Sequence, residues 1–188
     1  MFKNMKSLLL GLVVLSFMVG CAGGHPRPSH KPKQPPISAD AKKVYISSKA
    51  IYNGPIAQNI KSECRIDSQV MTWIKKYSAK KNIDVIIDGK PKENDTVLKI
   101  DIIDAMSAGN AAVGHNKYVV ISGKLYEGKK LKSSFKAARR SGGGYFVGAY
   151  RSSCSVLGSC AKTLGRDTSS WLVNPVNNEK IGDTYLIK

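Results

Sequence analysis

Arg139, Arg140, Gly142, Gly143, Gly144 and Arg151 are the residues of this chain whose types and spacing suit ligand chemistry. Glycines let backbone amides approach an anion closely, and guanidiniums offer paired N–H donors to carboxylate or phosphate. The stretch "SGGGYFVGAYRSS" also precedes an expected helix start, where free amides carry partial positive charge. It is neither a dinucleotide fingerprint, since position 147 is Val, nor a Walker loop. A plain connection with a tight turn explains the same glycines, so contact site and connector both stand as readings. Tyr145-Phe146, on the same loop, would suit a protein-contact tip.

Nucleophilic catalysis needs a nucleophile with a base and an orienting group in reach. His115, in the polar run "GNAAVGHNK", has no serine or cysteine elbow around it. Asp84, Asp88, Asp101 and Asp104 fall on the solvent side or the ends of expected strands. The chain is therefore read as a non-enzyme with no cofactor. His25 and His30 lie beside Arg27 and Lys31, and no zinc set can be assembled from the histidines and cysteines present.

Upstream stands the only long apolar run. Lys3 and Lys6 precede Leu8 to Val19, broken by Gly11 and Ser16. A membrane-spanning helix needs about 20 apolar residues, so this run is short for that role and fits a secretory signal over residues 1–20. It closes on "FMVGCAGG". Val19-Gly20-Cys21 resembles the lipobox of bacterial lipoproteins, Leu-Ala/Ser-Gly/Ala-Cys, and departs from it at Met18, where Leu is commoner. The resemblance implies that the Cys21 thiol is alkylated with diacylglycerol, the signal is cut before it, and the new amine is acylated. Three acyl chains at roughly 0.8 kcal/mol per buried methylene anchor far more firmly than one. Ala22 stands where Asp would signal inner-membrane retention, which implies the periplasmic face of an outer membrane.

With Cys21 lipidated, Cys64, Cys154 and Cys160 remain in an oxidising compartment. The six-residue spacing in "CSVLGSC" suits a loop folded back on the first turns of a helix, so a Cys154–Cys160 disulfide is expected. Cys64 paired to one of them is the rival.

Residues 21–40 hold five prolines and almost no apolar side chains, the composition of a tether that reaches some 60 Å at about 3 Å per residue. The full chain carries a formal charge of +17, which falls to +15 when Lys3 and Lys6 leave with the signal. Such charge favours anionic partners. An exported chain without a nucleic-acid motif directs that preference to acidic envelope polymers and anionic headgroups.

Residues 41–188 are long enough for one domain with a real core. "KVYISSKAIY" (43–52) is expected as a first strand. Ile56, Ile60, Cys64, Val70, Ile74 and Tyr77 recur at helical spacing up to about Lys81. "IDVIID" (83–88) and "TVLKIDIID" (96–104) are strands, the second turning Leu98, Ile100 and Ile102 inward. "KYVVISGKLYEGKKLKSSFKAARRS" is a hairpin turning at Glu127-Gly128-Lys129-Lys130, with Val119, Ile121, Leu125, Leu131 and Phe135 inward and Ser133 and Ala137 as further candidates on the return strand. A second helix spans roughly 155–173, its stripe being Leu157, Cys160, Ala161, Leu164, Thr168, Trp171 and Leu172, and Pro175 stops it.

The order β-α-β-β-β-β-α predicts an α+β fold, a mixed and mainly antiparallel sheet of about five strands with two helices packed on one face. It resembles in topology, over about residues 43–175, the small domains of envelope accessory lipoproteins such as activators of penicillin-binding proteins and the curli-secretion lipoprotein. The expected function is a membrane-anchored, non-enzymatic accessory that docks on another envelope protein. The alternative is a basic module for anionic envelope polymer or lipid headgroups.

Overall fold

The structure, a computed structural model, describes residues 36–110, 114–143 and 152–188. The signal segment, Cys21, most of the tether, Gly144, Tyr145, Phe146 and Arg151 lie outside the described residues. The fold is α+β, as expected, with seven strands among the described residues rather than about five. β1 (Lys42–Ile46), β2 (Ile51–Tyr52), β3 (Ile83–Ile87), β4 (Thr96–Asn110), β5 (Gly114–Glu127), β6 (Lys130–Gly143) and β7 (Glu179–Gly182) form one mixed sheet. Its order is β3-β1-β4-β5-β6-β7, with β2 on β4. β4, β5 and β6 form the long antiparallel centre, while β1, β2, β3 and β7 join in parallel.

Two helices, α1 (Ile66–Ala79) and α2 (Ser153–Trp171), share the core with one sheet face. The stripe expected for α2 is buried in full: Leu157, Cys160, Ala161, Leu164, Thr168, Trp171 and Leu172. Gly165 sets the helix–helix distance, since a Cβ there would collide with Trp73 and the Ile74 backbone of α1. The Ser169 hydroxyl crosses the same contact to Ile74 O at 3.0 Å, whereas the buried Thr168 Oγ1 in the same α2 stripe has no hydrogen-bond partner.

The helix expected from Ile56 to Lys81 is broken. Ile56, Ile60 and Cys64 keep a spacing of four and are buried, but the next buried stripe starts at Ile66 and continues through Val70 and Ile74. That two-residue slip is absorbed by a wide π-helical turn over Ile60–Cys64 and by Arg65, whose φ of 47° is left-handed. A continuous helix would have rotated one of the two stripes out of the core.

Two β-bulges decide which strand residues face inward. At Ile102/Asp104 the β4 register slips by one. Ile102 therefore faces the helices and, beyond the slip, so do Ala105 and Ser107, whereas Ile103 packs on the opposite face with Val120, Ala138 and Ile187. A second slip lies between the Leu125↔Ser133 and Tyr126↔Leu131 pairs. It reverses the parity of the β6 start, which corrects the expectation that Leu131 lines the core. Leu131 is 47% exposed, while Ser133 and Phe135 are buried.

The disulfide expectation is also corrected. Cys64 bonds to Cys154, with 4.7 Å between their Cα atoms, and Cys160 is a buried free thiol. α2 begins at Ser153, so Cys154 and Cys160 belong to one helix. Six residues along a helix rise about 9 Å, beyond the roughly 7 Å that a disulfide can bridge.

Candidate functional site

Arg139 and Arg140 do not converge, and Arg151 lies outside the described residues. Arg139 and Arg140 are consecutive in β6, so their side chains leave opposite faces of the sheet. Arg139 turns to the helices, where its Nε donates to Asp167 Oδ2 of α2 at 2.6 Å. That bond raises the guanidinium's affinity for its proton still further. Arg140 is exposed, and its backbone N–H donates to Asp183 Oδ2 at 2.6 Å. Gly142 and Gly143 finish β6 as ladder partners of Asn116 and His115.

The free thiol among the described residues, Cys160, is shielded from reaction. Cys160 sits in the core, and burial pushes its pKa up to about 11. Among the described residues no three His, Cys, Asp or Glu side chains gather as a metal site. Tyr118 donates its hydroxyl to Asp104 Oδ2 at 3.1 Å, which ties that acid to the neighbouring strand.

Lys117 is a group that sequence reasoning missed. Its side chain is fully buried on the helix side of β5. Its Nζ donates to Ser107 Oγ at 2.9 Å and to Ser153 Oγ, in the first turn of α2, at 3.1 Å. Burial lowers its pKa. Two hydroxyls solvate this ammonium beside a helix N-terminus that would itself prefer an anion.

Outside the helices, Trp73 is flanked by two lysines, with Lys76 Nζ at 4.8 Å and Lys162 Nζ at 5.3 Å from its ring centre. Tyr77 stacks on it at 5.8 Å. These cation–π contacts occupy the lysines within the protein.

The most unusual charge arrangement lies on the other face of the sheet, away from the helices. Lys99 of β4 is the direct cross-strand partner of Lys124 of β5, and Lys136 of β6 is that of Lys180 of β7. Alternation puts all four on one face. Opposed side chains in a ladder stand about 5 Å apart at Cβ, and like charges there are destabilising, by up to about 1 kcal/mol per pair. None of the four ammoniums pairs with an aspartate or glutamate among the described residues. Lys99 instead lies over the Tyr126 ring at 5.1 Å, and Lys136 Nζ donates to the Lys188 backbone oxygen at 2.8 Å.

Lys124, Lys136 and Lys180 line an open cleft of about 540 Å³ together with Ser122, Ser134 and Asn178. Its carboxylates are Asp101, held by Asn53 Nδ2 at 3.5 Å, and Glu179. Ile187 and Leu186 pack on the neighbouring part of this face against Val120, Ala138 and Tyr118, which leaves the lysine end open. Strand alternation already turned Lys99 and Asp101 outward in the sequence. The cross-strand register that opposes Lys99 to Lys124 had no local signal.

No family model matches the sequence, and no curated protein matches it. Solved structures with a related chain path include a minor lipoprotein from Acinetobacter baumannii, at 8% identity and a TM-score of 0.47, over 73% of this chain and 97% of that one. Lipoprotein GNA1162 from Neisseria meningitidis aligns at 12% identity and a TM-score of 0.40, over 53% and 83%. Protein XCC0632 from Xanthomonas campestris aligns at 10% identity and a TM-score of 0.49, over 69% and 83%. Likenesses of this size assign no function to this chain. Among the described residues no helix is long and apolar enough to cross a membrane.

Proposed function

We propose that this chain is a lipid-anchored protein of the cell envelope whose domain is a non-enzymatic docking module for another envelope component. The observation that carries the compartment is the Cys64–Cys154 disulfide, which joins elements 90 residues apart. Such structural bonds belong to exported proteins, because cytosolic thiols are kept reduced. It agrees with the lipobox-like Val19-Gly20-Cys21 and the Pro-rich residues that follow. The non-enzymatic reading draws support from the two buried reactive groups. The Cys160 thiol is held protonated, and the Lys117 amine is sealed from solvent and bonded to hydroxyls.

Cell fractionation combined with cross-linking tests the proposal. The native chain should sediment with the outer membrane and cross-link to a discrete envelope partner. Cys21→Ser should release the domain from that fraction with the signal uncut or misprocessed. A Cys21→Ser chain that stays in the membrane fraction would make the apolar run an ordinary anchor.

A further inference from the structure

We infer that the open face of β4, β5, β6 and β7 is a binding site for an acidic oligosaccharide, a sugar chain bearing spaced carboxylates. The inference deepens the docking reading and rests on it only for the compartment in which such a chain is met.

The argument starts from the paired lysines. A sheet that opposes Lys99 to Lys124 and Lys136 to Lys180 holds four ammoniums at ladder spacing with no aspartate or glutamate partner among the described residues. Of the four, only Lys99, over the Tyr126 ring, and Lys136, on the Lys188 main-chain oxygen, have another contact there. Mutual repulsion makes this arrangement unfavourable for an empty domain. An anionic ligand lying across the strands relieves it, so ligand binding and the relief of repulsion are coupled.

The chemistry of the cleft selects among anions. Lysine is a compact point charge on a flexible stem that meets single anionic groups spaced along a chain, whereas the planar fork of arginine suits bidentate contact with one carboxylate or phosphate. The cleft carries four lysines, Lys188 among them, and no arginine. Its other side chains include Ser122, Ser134, Asn53 and Asn178, groups that both donate to and accept from sugar hydroxyls. Asp101 and Glu179 add acceptors for hydroxyl groups and leave the cleft net positive. The hydroxyl and amide side chains among the lysines match sugar hydroxyls, which favours a sugar chain over a lipid surface.

The full chain in nonionic detergent, titrated calorimetrically with a short oligogalacturonate, tests this. Binding is expected, with loss on methyl esterification of the sugar and steep weakening as salt rises. Lys124→Gln, Lys136→Gln and Lys180→Gln combined should weaken it about tenfold or more, with a melting temperature equal to or above that of the native chain, because repulsion is removed. Lys124→Gln alone serves as the second variant if the triple one melts early.

Equal affinity for the esterified sugar, or native affinity in a folded lysine variant, would overturn the proposal. So would absence of oligogalacturonate binding, whether or not the full-length Cys21→Ser chain sediments with phosphatidylglycerol vesicles. Sedimentation in that case that is lost when Lys124, Lys136 and Lys180 are also replaced by Gln would assign the face to an anionic lipid surface. Because the titration is done in solution, failure of the lipid anchor leaves its result unchanged.

Discussion

Cys64 and Cys154 lie 4.7 Å apart at Cα although 90 residues separate them. The bond fastens the end of the π-helical turn to the second residue of α2. It also locks the place where two buried stripes are joined out of phase, since Arg65 follows directly with its left-handed backbone. The least regular segment of the helical layer is therefore the one held covalently.

Closing so long a loop restricts the unfolded chain. Cys64→Ser is expected to cost about 2–5 kcal/mol. Denaturant melts with and without reductant should differ for the native chain and coincide for the variant. Peptide mapping of unreduced protein should join Cys64 to Cys154 and recover Cys160 as a thiol that is alkylated only on unfolding. A Cys154–Cys160 peptide in most molecules would contradict this.

Arg139 and Arg140 are expected to separate sharply. The Arg139–Asp167 pair is largely shielded, with side-chain exposures of 28% and 11%. Arg139→Ala leaves Asp167 without its strand partner and should cost about 1–3 kcal/mol. Arg140→Ala removes an exposed side chain and should stay within about 0.5 kcal/mol. Thermal melts of the two single variants decide the matter, and equal effects would contradict the assignment of Arg139 to the helix–sheet contact.

Lys117 gives stability a pH dependence of known sign. Its pKa is lowered in the folded state from 10.5, so between the folded and unfolded values the unfolded chain binds more protons. Stability should therefore rise with pH as it approaches 10.5, and the cost of burying the charge is felt in full at neutral pH and below. Lys117→Met should remove this alkaline gain and leave the domain folded. Denaturant melts from neutral to alkaline pH check it, and an unchanged slope in the variant would contradict the buried-ammonium account.

What was legible in the sequence was what local spacing decides. The α2 stripe from Leu157 to Leu172 appears in the core residue for residue, and Val119, Ile121 and Leu125 face inward as alternation requires. The failures lie where one residue changes the phase. Alternation alone turns Leu131 inward, because a bulge at the hairpin's return strand leaves no local mark. The step from Cys64 to Val70, six rather than three, four or seven, did carry a signal of the broken helix.

β7 was missed because "EKIG" is short and acquires its identity from pairing with Phe135 to Ala138. The candidate site divides in the same way. Placing Arg139 and Arg140 side by side in a strand already set them on opposite faces. The opposed lysines, by contrast, depend on the register between strands and on the arrival of β7 from the far end of the domain.

The envelope assignment depends on Cys21, so the intact mass of the protein extracted from membranes is the most direct test. The account predicts a chain whose first residue is Cys21, heavier than its sequence by a diacylglyceryl group and an amide-linked acyl chain, and free of the segment 1–20. A membrane-extracted chain that retains residues 1–20, or that begins at another residue with an unmodified Cys21, would contradict it.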